Sequence, residues 1–153
     1  HHVTGPEDSQ SALIRSAAWA ARLKEAGATA PQPVQGDWTA ASGYEAGGRL
    51  AADPEVTAVF CANDEVAIGL MRAMHERGRR VPQDVSVVGF DGLSLGEYSF
   101  PSLTTVRQDF WRAGEEMVGL VLEQVASGEV DGARQILIPT ELLVRGSTAP
   151  PGR

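Results

Sequence analysis

VPQDVSVVGFDG, from Val81 to Gly92, decides how the rest of the chain is read. Val85, Val87 and Val88 form a short apolar run, with no charge between Val85 and Phe90. A run this short, rich in β-branched residues and preceded by Pro82, reads as a strand buried on both faces. Such strands belong to parallel sheets. Gly89 lets the backbone turn, and Asp91 stands just past the strand's carboxyl end, where open parallel sheets bind their ligands. A carboxylate at that point is either a binding group or a cap for the next element.

Working toward the N-terminus, Val56 to Phe60 reads as a second buried strand, with Asn63-Asp64 close behind it. Asn63 suits the cap of a helix from Glu65 to Arg77, which buries Ala67, Leu70, Met71 and Met74 and stops at Gly78. Capping alone accounts for Asn63, yet caps of this kind stand at the mouth of a parallel sheet. Further upstream, Thr39 caps a helix over Ala40 to Ala52, and Trp38 falls between it and an extended piece at Pro31 to Val34. A tryptophan there either packs or offers an aromatic face to a ligand. The first helix starts at Asp8 or Ser9 and ends at Gly27. Its expected inner face is Leu13, Ala17, Ala20 and Ala21, with Arg22, Lys24 and Glu25 mostly outside. Arg15 lies in its first two turns, at the end that opens on the ligand edge, although a solvated surface arginine is the ordinary reading.

Toward the C-terminus, Leu103 to Val106 reads as extended, and Gln108-Asp109 open an amphipathic helix. Phe110, Ala113, Gly114, Met117, Val118, Val121, Leu122 and Val125 line its apolar stripe, and Gly128 ends it. Gln135 to Ile138 and Leu142 to Arg145 read as two short strands separated by Pro139, before a loose tail from Ala149. The tally is an α/β, doubly wound and mostly parallel sheet with helices on both faces. Trp38, Asn63 and Asp91 come after strands at one edge of it.

With 153 residues, the chain has the length of one domain. Its formal net charge of -7 disfavours direct contact with nucleic acid. No run reaches membrane-spanning length. Cys61 is alone and reads as a small buried hydrophobe, compatible with a cytoplasmic location. No phosphate loop, nucleophile elbow or metal-ligand spacing is found, and no acid–base partner stands near Asp91. The expectation is therefore no enzyme, no catalytic or metal-binding residue and no cofactor. His1 and His2 read as native sequence or as the remnant of a tag, and the opening residues read as the end of a strand from a longer protein.

Read together, GPEDS…GDW, FCANDEVAIGLMRAMHERGRRVPQDVSVVGFDG, PSLTTVRQDF and ELLVRGST resemble the lac repressor/gal repressor (LacI/GalR) family of bacterial transcription regulators. The resemblance runs over almost the whole chain. It implies a periplasmic-binding-protein type I-like core, of which this is the C-terminal part. Residues 1–106 would be the effector-binding subdomain, and 107–135 a crossover helix belonging to an N-terminal subdomain mostly outside the chain. Residues 136–148 would be returning strands and 149–153 a flexible tail. The stripe of the crossover helix would then lack its support. Carried over position by position, the effector contacts fall on Arg15, Trp38, Asn63 and Asp91, with Gln108 and Phe110 near the crossover. These groups suit a polyol: a carboxylate accepting from paired hydroxyls, an amide, a forked guanidinium, and a ring for an apolar sugar face. Position 13 is Leu13, where relatives often carry a second arginine. The resemblance also implies a homodimer, with Ile68, Leu70, Met71 and the segment after Asp91 near its interface. Operator DNA would be bound only by an N-terminal headpiece. A periplasmic sugar-binding protein of a transporter is the alternative.

Overall fold

The computed structural model describes residues 1–128, 132 and 134–150. The elements run β1 His2–Val3, α1 Gln10–Glu25, α2 Ala40–Leu50, β2 Ala58–Cys61, α3 Asp64–Glu76, β3 Ser86–Asp91, α4 Leu95–Tyr98, β4 Thr104–Arg107, α5 Phe110–Ser127 and β5 Glu141–Leu143. The sheet order is β1-β2-β3-β4-β5. The first four strands are parallel, and β5 runs antiparallel to β4. A single parallel bridge between Val3 and Val34 extends the β1 edge. This is the expected α/β layer, and β3 lies at its centre.

Pleating sends Val3, Val59, Cys61 and Val87 to one face, where they pack with Leu70, Met71, Met74 and Leu103. That face is covered by α2 and α3. They approach so closely that a Cβ on Gly69 would lie 1.9 Å from the carbonyl oxygen of Ala40. On the opposite face, His2 stacks on Phe60 at 4.9 Å and meets Trp19 of α1 at 5.2 Å, so helices flank both faces.

Several expectations are corrected. In α1 the inward residues are Ala12, Arg15, Ser16, Trp19, Ala20 and Leu23, whereas Leu13, Ala17 and Ala21 are exposed. The helix is turned because Arg15 and Trp19 take the inner positions, one to make polar contacts and the other to stack on His2. Gln135 to Ile138 forms no strand: it pairs with no strand among the described residues, and Leu137 is 91% exposed. Ala149 is not loose, since its N–H donates to Ser86 Oγ at 3.1 Å and its carbonyl accepts from that hydroxyl at 3.1 Å. Residues 151–153 of the expected tail, and 129–131 and 133 of the expected crossover, lie outside the described residues. His1 and His2 are built into the sheet edge, with His1 O accepting from Phe60 N.

Of the two readings given to Leu70 and Met71, the buried face of α3 and a place near a dimer interface, the first describes their packing: both are core residues, at 0% and 5% exposure. The inner face of α3 carries them against the sheet, leaving half-buried Ile68 as the member of the three that reaches the surface. Helix α5 is the reverse case: none of its residues is buried, and Met117, Val118, Val121, Leu122 and Val125 are all more than half exposed. Among the described residues, no helix is long and apolar enough to cross a membrane.

Candidate functional site

The carboxyl ends of the parallel strands converge on one open groove of about 480 Å³. Arg15, Trp38, Asn63, Asp91, Gln108 and Phe110 all line it, together with Ser9 and Ser11. All six positions expected to meet an effector are thus brought together, from five separate connections of the fold.

Asp91 ends β3, and its side chain points at the groove. Its Oδ1 accepts from Gln108 Nε2 at 2.6 Å and faces Arg15 Nη2 at 3.4 Å. Burial pushes its carboxyl up, and the guanidinium and the Gln108 amide oppose that shift. Arg15 crosses from α1, donates Nη1 to Ala62 O at 2.5 Å and lies over the Phe90 ring at 3.9 Å. Trp38 stands at its other side, 5.6 Å from the guanidinium carbon. Burial lowers the arginine below its ordinary value, and Asp91 works against this. Flat contacts of this kind contribute about 0.5–2 kcal/mol each, more as water is excluded. Arg15 is therefore a tethered donor rather than a solvated surface residue.

Asn63 is held by the chain through both ends of its amide, which leaves one N–H and one lone pair over. Its Oδ1 caps α3 by accepting from Val66 N at 2.8 Å, and its Nδ2 donates to Trp38 O at 2.9 Å. Capping and positioning coincide, since the side chain that starts α3 also holds the Trp38 loop at the groove. Trp38 and Asp91 share a rarer property. They are the two non-glycine residues with positive φ among the described residues, at 74° and 109°. Such backbone costs on the order of 1–3 kcal/mol and persists where the surroundings over-determine it, commonly at functional sites. The Trp38 ring can lie flat because position 5 is glycine: a Cβ there would be 2.4 Å from the ring.

Gln108 and Phe110 come from the segment that leaves the sheet for α5. Phe110 is 57% exposed and stands at the rim. Sequence reasoning missed Ser9 and Ser11 as groove residues. Ser9 is legible as a cap, which it is, and its neighbour Ser11 carries no signal beyond lying one turn from Arg15. Among the described residues, no group of three or more His, Cys, Asp or Glu side chains could hold a metal. Cys61 is buried, and burial holds its thiol far above the ordinary range.

Comparison with known proteins places these features among relatives. The family model described as a periplasmic binding protein-like domain matches residues 1–148. The lactose operon repressor of Klebsiella pneumoniae is 36% identical over 149 residues, which is 97% of this chain and 42% of that protein. The crystal structure of the lac repressor dimer bound to operator and the anti-inducer ONPF superposes with a TM-score of 0.88 at 36% identity, covering 97% of this chain and 52% of that one. The complex of the transcriptional regulator CelR with cellobiose gives 0.89 at 32% identity, covering 95% of this chain and 45% of that one. The chain thus spans about half the length of the relatives it matches.

Proposed function

Because the chain belongs to the periplasmic binding protein-like family, in the form that makes up the core of LacI/GalR regulators, we propose that it senses a small polyhydroxyl effector for a transcription regulator. One observation carries the reading: six polar and aromatic groups from five connections converge on the carboxyl edge of the sheet, two of them on strained backbone. Asp91 accepts ligand hydroxyls, Arg15 and Gln108 hold its carboxylate in place, and Trp38 covers an apolar sugar face. Asn63 adds an amide and fixes the Trp38 loop. The occupants named in the related structures include cellobiose, a neutral carbohydrate.

In this reading, residues 1–106 form one wall of the effector cleft. Residues 107–135 cross to a second subdomain, and 136–148 return. The uncovered stripe of α5 supports that division, because a helix with no buried residue has its packing partner elsewhere. The regulator is cytoplasmic and works as a homodimer. Ile68, rather than Leu70 or Met71, contributes to its interface, alongside the segment after Asp91, where Leu95, Tyr98 and Phe100 are 60%, 81% and 101% exposed. Effector binding favours one closure of the two subdomains, and closure changes the spacing of paired DNA-binding headpieces. The function in this reading is binding: Asp91, paired with Arg15 and Gln108, serves as a hydrogen-bond acceptor.

A thermal-shift screen of the full protein tests it, with pentoses, hexoses, disaccharides and purine nucleosides against wild type and Asp91→Ala. A saturable sugar response lost in the variant is the expected result. A response that survives the substitution places the site elsewhere, and a purine response without any sugar response overturns the carbohydrate assignment.

A further inference from the structure

The most deeply buried acid in the described structure is Asp64, at 0% exposure, and the effector reading gives it no part. We infer that Asp64 is the positioning residue for Asp91: its carboxylate locks the backbone turn that aims Asp91 at the groove. The inference rests on the reading that Asp91 meets the effector, and its mechanics are local to four hydrogen-bonding groups.

Asp64 opens α3, but neither oxygen serves that helix, whose Val66 N–H is already taken by Asn63. Both oxygens reach out instead. Oδ2 accepts from Leu93 N at 2.6 Å, two residues past Asp91, and Oδ1 accepts from Thr105 Oγ1 on β4 at 2.5 Å. A carboxylate can only accept, so the Thr105 hydroxyl must direct its proton there. That fixes the hydroxyl's direction and leaves its lone pairs for Gly92 N, which lies 3.3 Å away. The two amides that come after Asp91 are therefore both held by Asp64, one directly and one through Thr105. On the other side, Asp91 O accepts from Gln108 N at 3.2 Å.

Asp91 sits between these anchors with φ at 109°, a value that an aspartate does not adopt unaided. The seat for the carboxylate is also built in. A Cβ at Gly89 would lie 2.2 Å from Asp64 Oδ1, so β3 leaves out a side chain where Asp64 rests on it. Gly89, Asp64, Thr105 and the 91–93 turn thus form one unit. An acid needed only to favour the helix N-terminus would not require the glycine or the threonine.

The test reads the backbone directly and needs no ligand, so a failure of sugar recognition and a failure of this inference are distinct. The three-bond coupling between H–N and Hα of Asp91 is measured by NMR in the full protein, as wild type, Asp64→Asn, Asp64→Ala and Thr105→Val. A φ near 109° gives a small coupling, and extended backbone gives one roughly twofold larger or more. Wild type is expected to show the small value, Asp64→Asn to stay near it by keeping one acceptor, and Asp64→Ala to rise toward the extended value. Thr105→Val removes only the relay to Gly92, so it decides the matter if Asp64→Ala does not fold, and its coupling is expected to rise as well. A folded Asp64→Ala, or a Thr105→Val, whose Asp91 coupling equals wild type overturns the inference.

Discussion

Gln108 Nε2 donates to Asp91 Oδ1 across 2.6 Å, joining the residue that ends the central strand to the segment that leads into α5. The same pair is linked through the backbone, Gln108 N to Asp91 O at 3.2 Å. Whatever binds Asp91 therefore acts on the root of a helix that otherwise has no buried residue.

That link predicts the behaviour of Gln108→Ala. A hydrogen bond to a charged acceptor contributes roughly 1.5–3 kcal/mol when buried, and the partial exposure of Asp91 brings this to about 1 kcal/mol. The variant is expected to lose about that much in urea denaturation and to exchange the amides of the first turn of α5 faster. Unchanged exchange there would show that Asp91 does not hold the helix root.

The glycines separate into two kinds, with opposite predictions. Gly69→Ala forces a Cβ to within 1.9 Å of a backbone carbonyl in α2, and backbone cannot yield as a flexible side chain can. It is expected to cost about 3 kcal/mol or to prevent folding, with loss of the α2–α3 contact. Gly119 lies inside α5 with nothing within 4 Å of a Cβ built there. In the 153-residue chain, Gly119→Ala is expected to stabilise α5 by up to about 1 kcal/mol, seen as greater helicity by circular dichroism.

His2 gives the acid side of the stability curve a definite sign. Burial lowers its pKa below the ordinary value, while Phe60 O, accepting from Nδ1, pulls the other way. Below about 6.5 the unfolded chain takes up a proton that the folded chain refuses. Stability is thus unaffected above that pH and falls as pH drops from about 6.5 to the lowered folded value. The raised carboxyls of Asp64 and Asp91 act oppositely and nearer the acid range, since the folded state binds their protons first. His2→Phe keeps the stack and is expected to flatten the loss just below pH 6.5. Parallel curves for wild type and variant over that interval would remove His2 from the account.

Much of this was legible because burial leaves a local trace. The β-branched run before Asp91, the caps Thr39 and Asn63, and the inner face of α3 all appear where pattern and capping chemistry place them. The inner face of α1 was not legible, because an arginine and a tryptophan occupy it and leave Leu13 outside, against the usual apolar rule. Ile136 and Ile138 look like strand residues, but a strand needs a partner, and pairing cannot be read from one segment. Asp64 was hidden for a related reason. Its two partners lie 29 and 41 residues away, and its placement over Gly89 exists only once β2, β3 and β4 are assembled.

Tryptophan fluorescence in a background where every other tryptophan of the full protein, Trp19 and Trp111 among them, is replaced by phenylalanine tests the central claim most directly, because Trp38 is then the sole reporter. Titrated with the sugar that responds in the thermal screen, this variant of the full protein is expected to show a saturable change that Asp91→Ala abolishes. A sugar that binds at full strength while Trp38 stays silent, or a Trp38 response indifferent to Asp91, would contradict an effector site at this edge of the sheet.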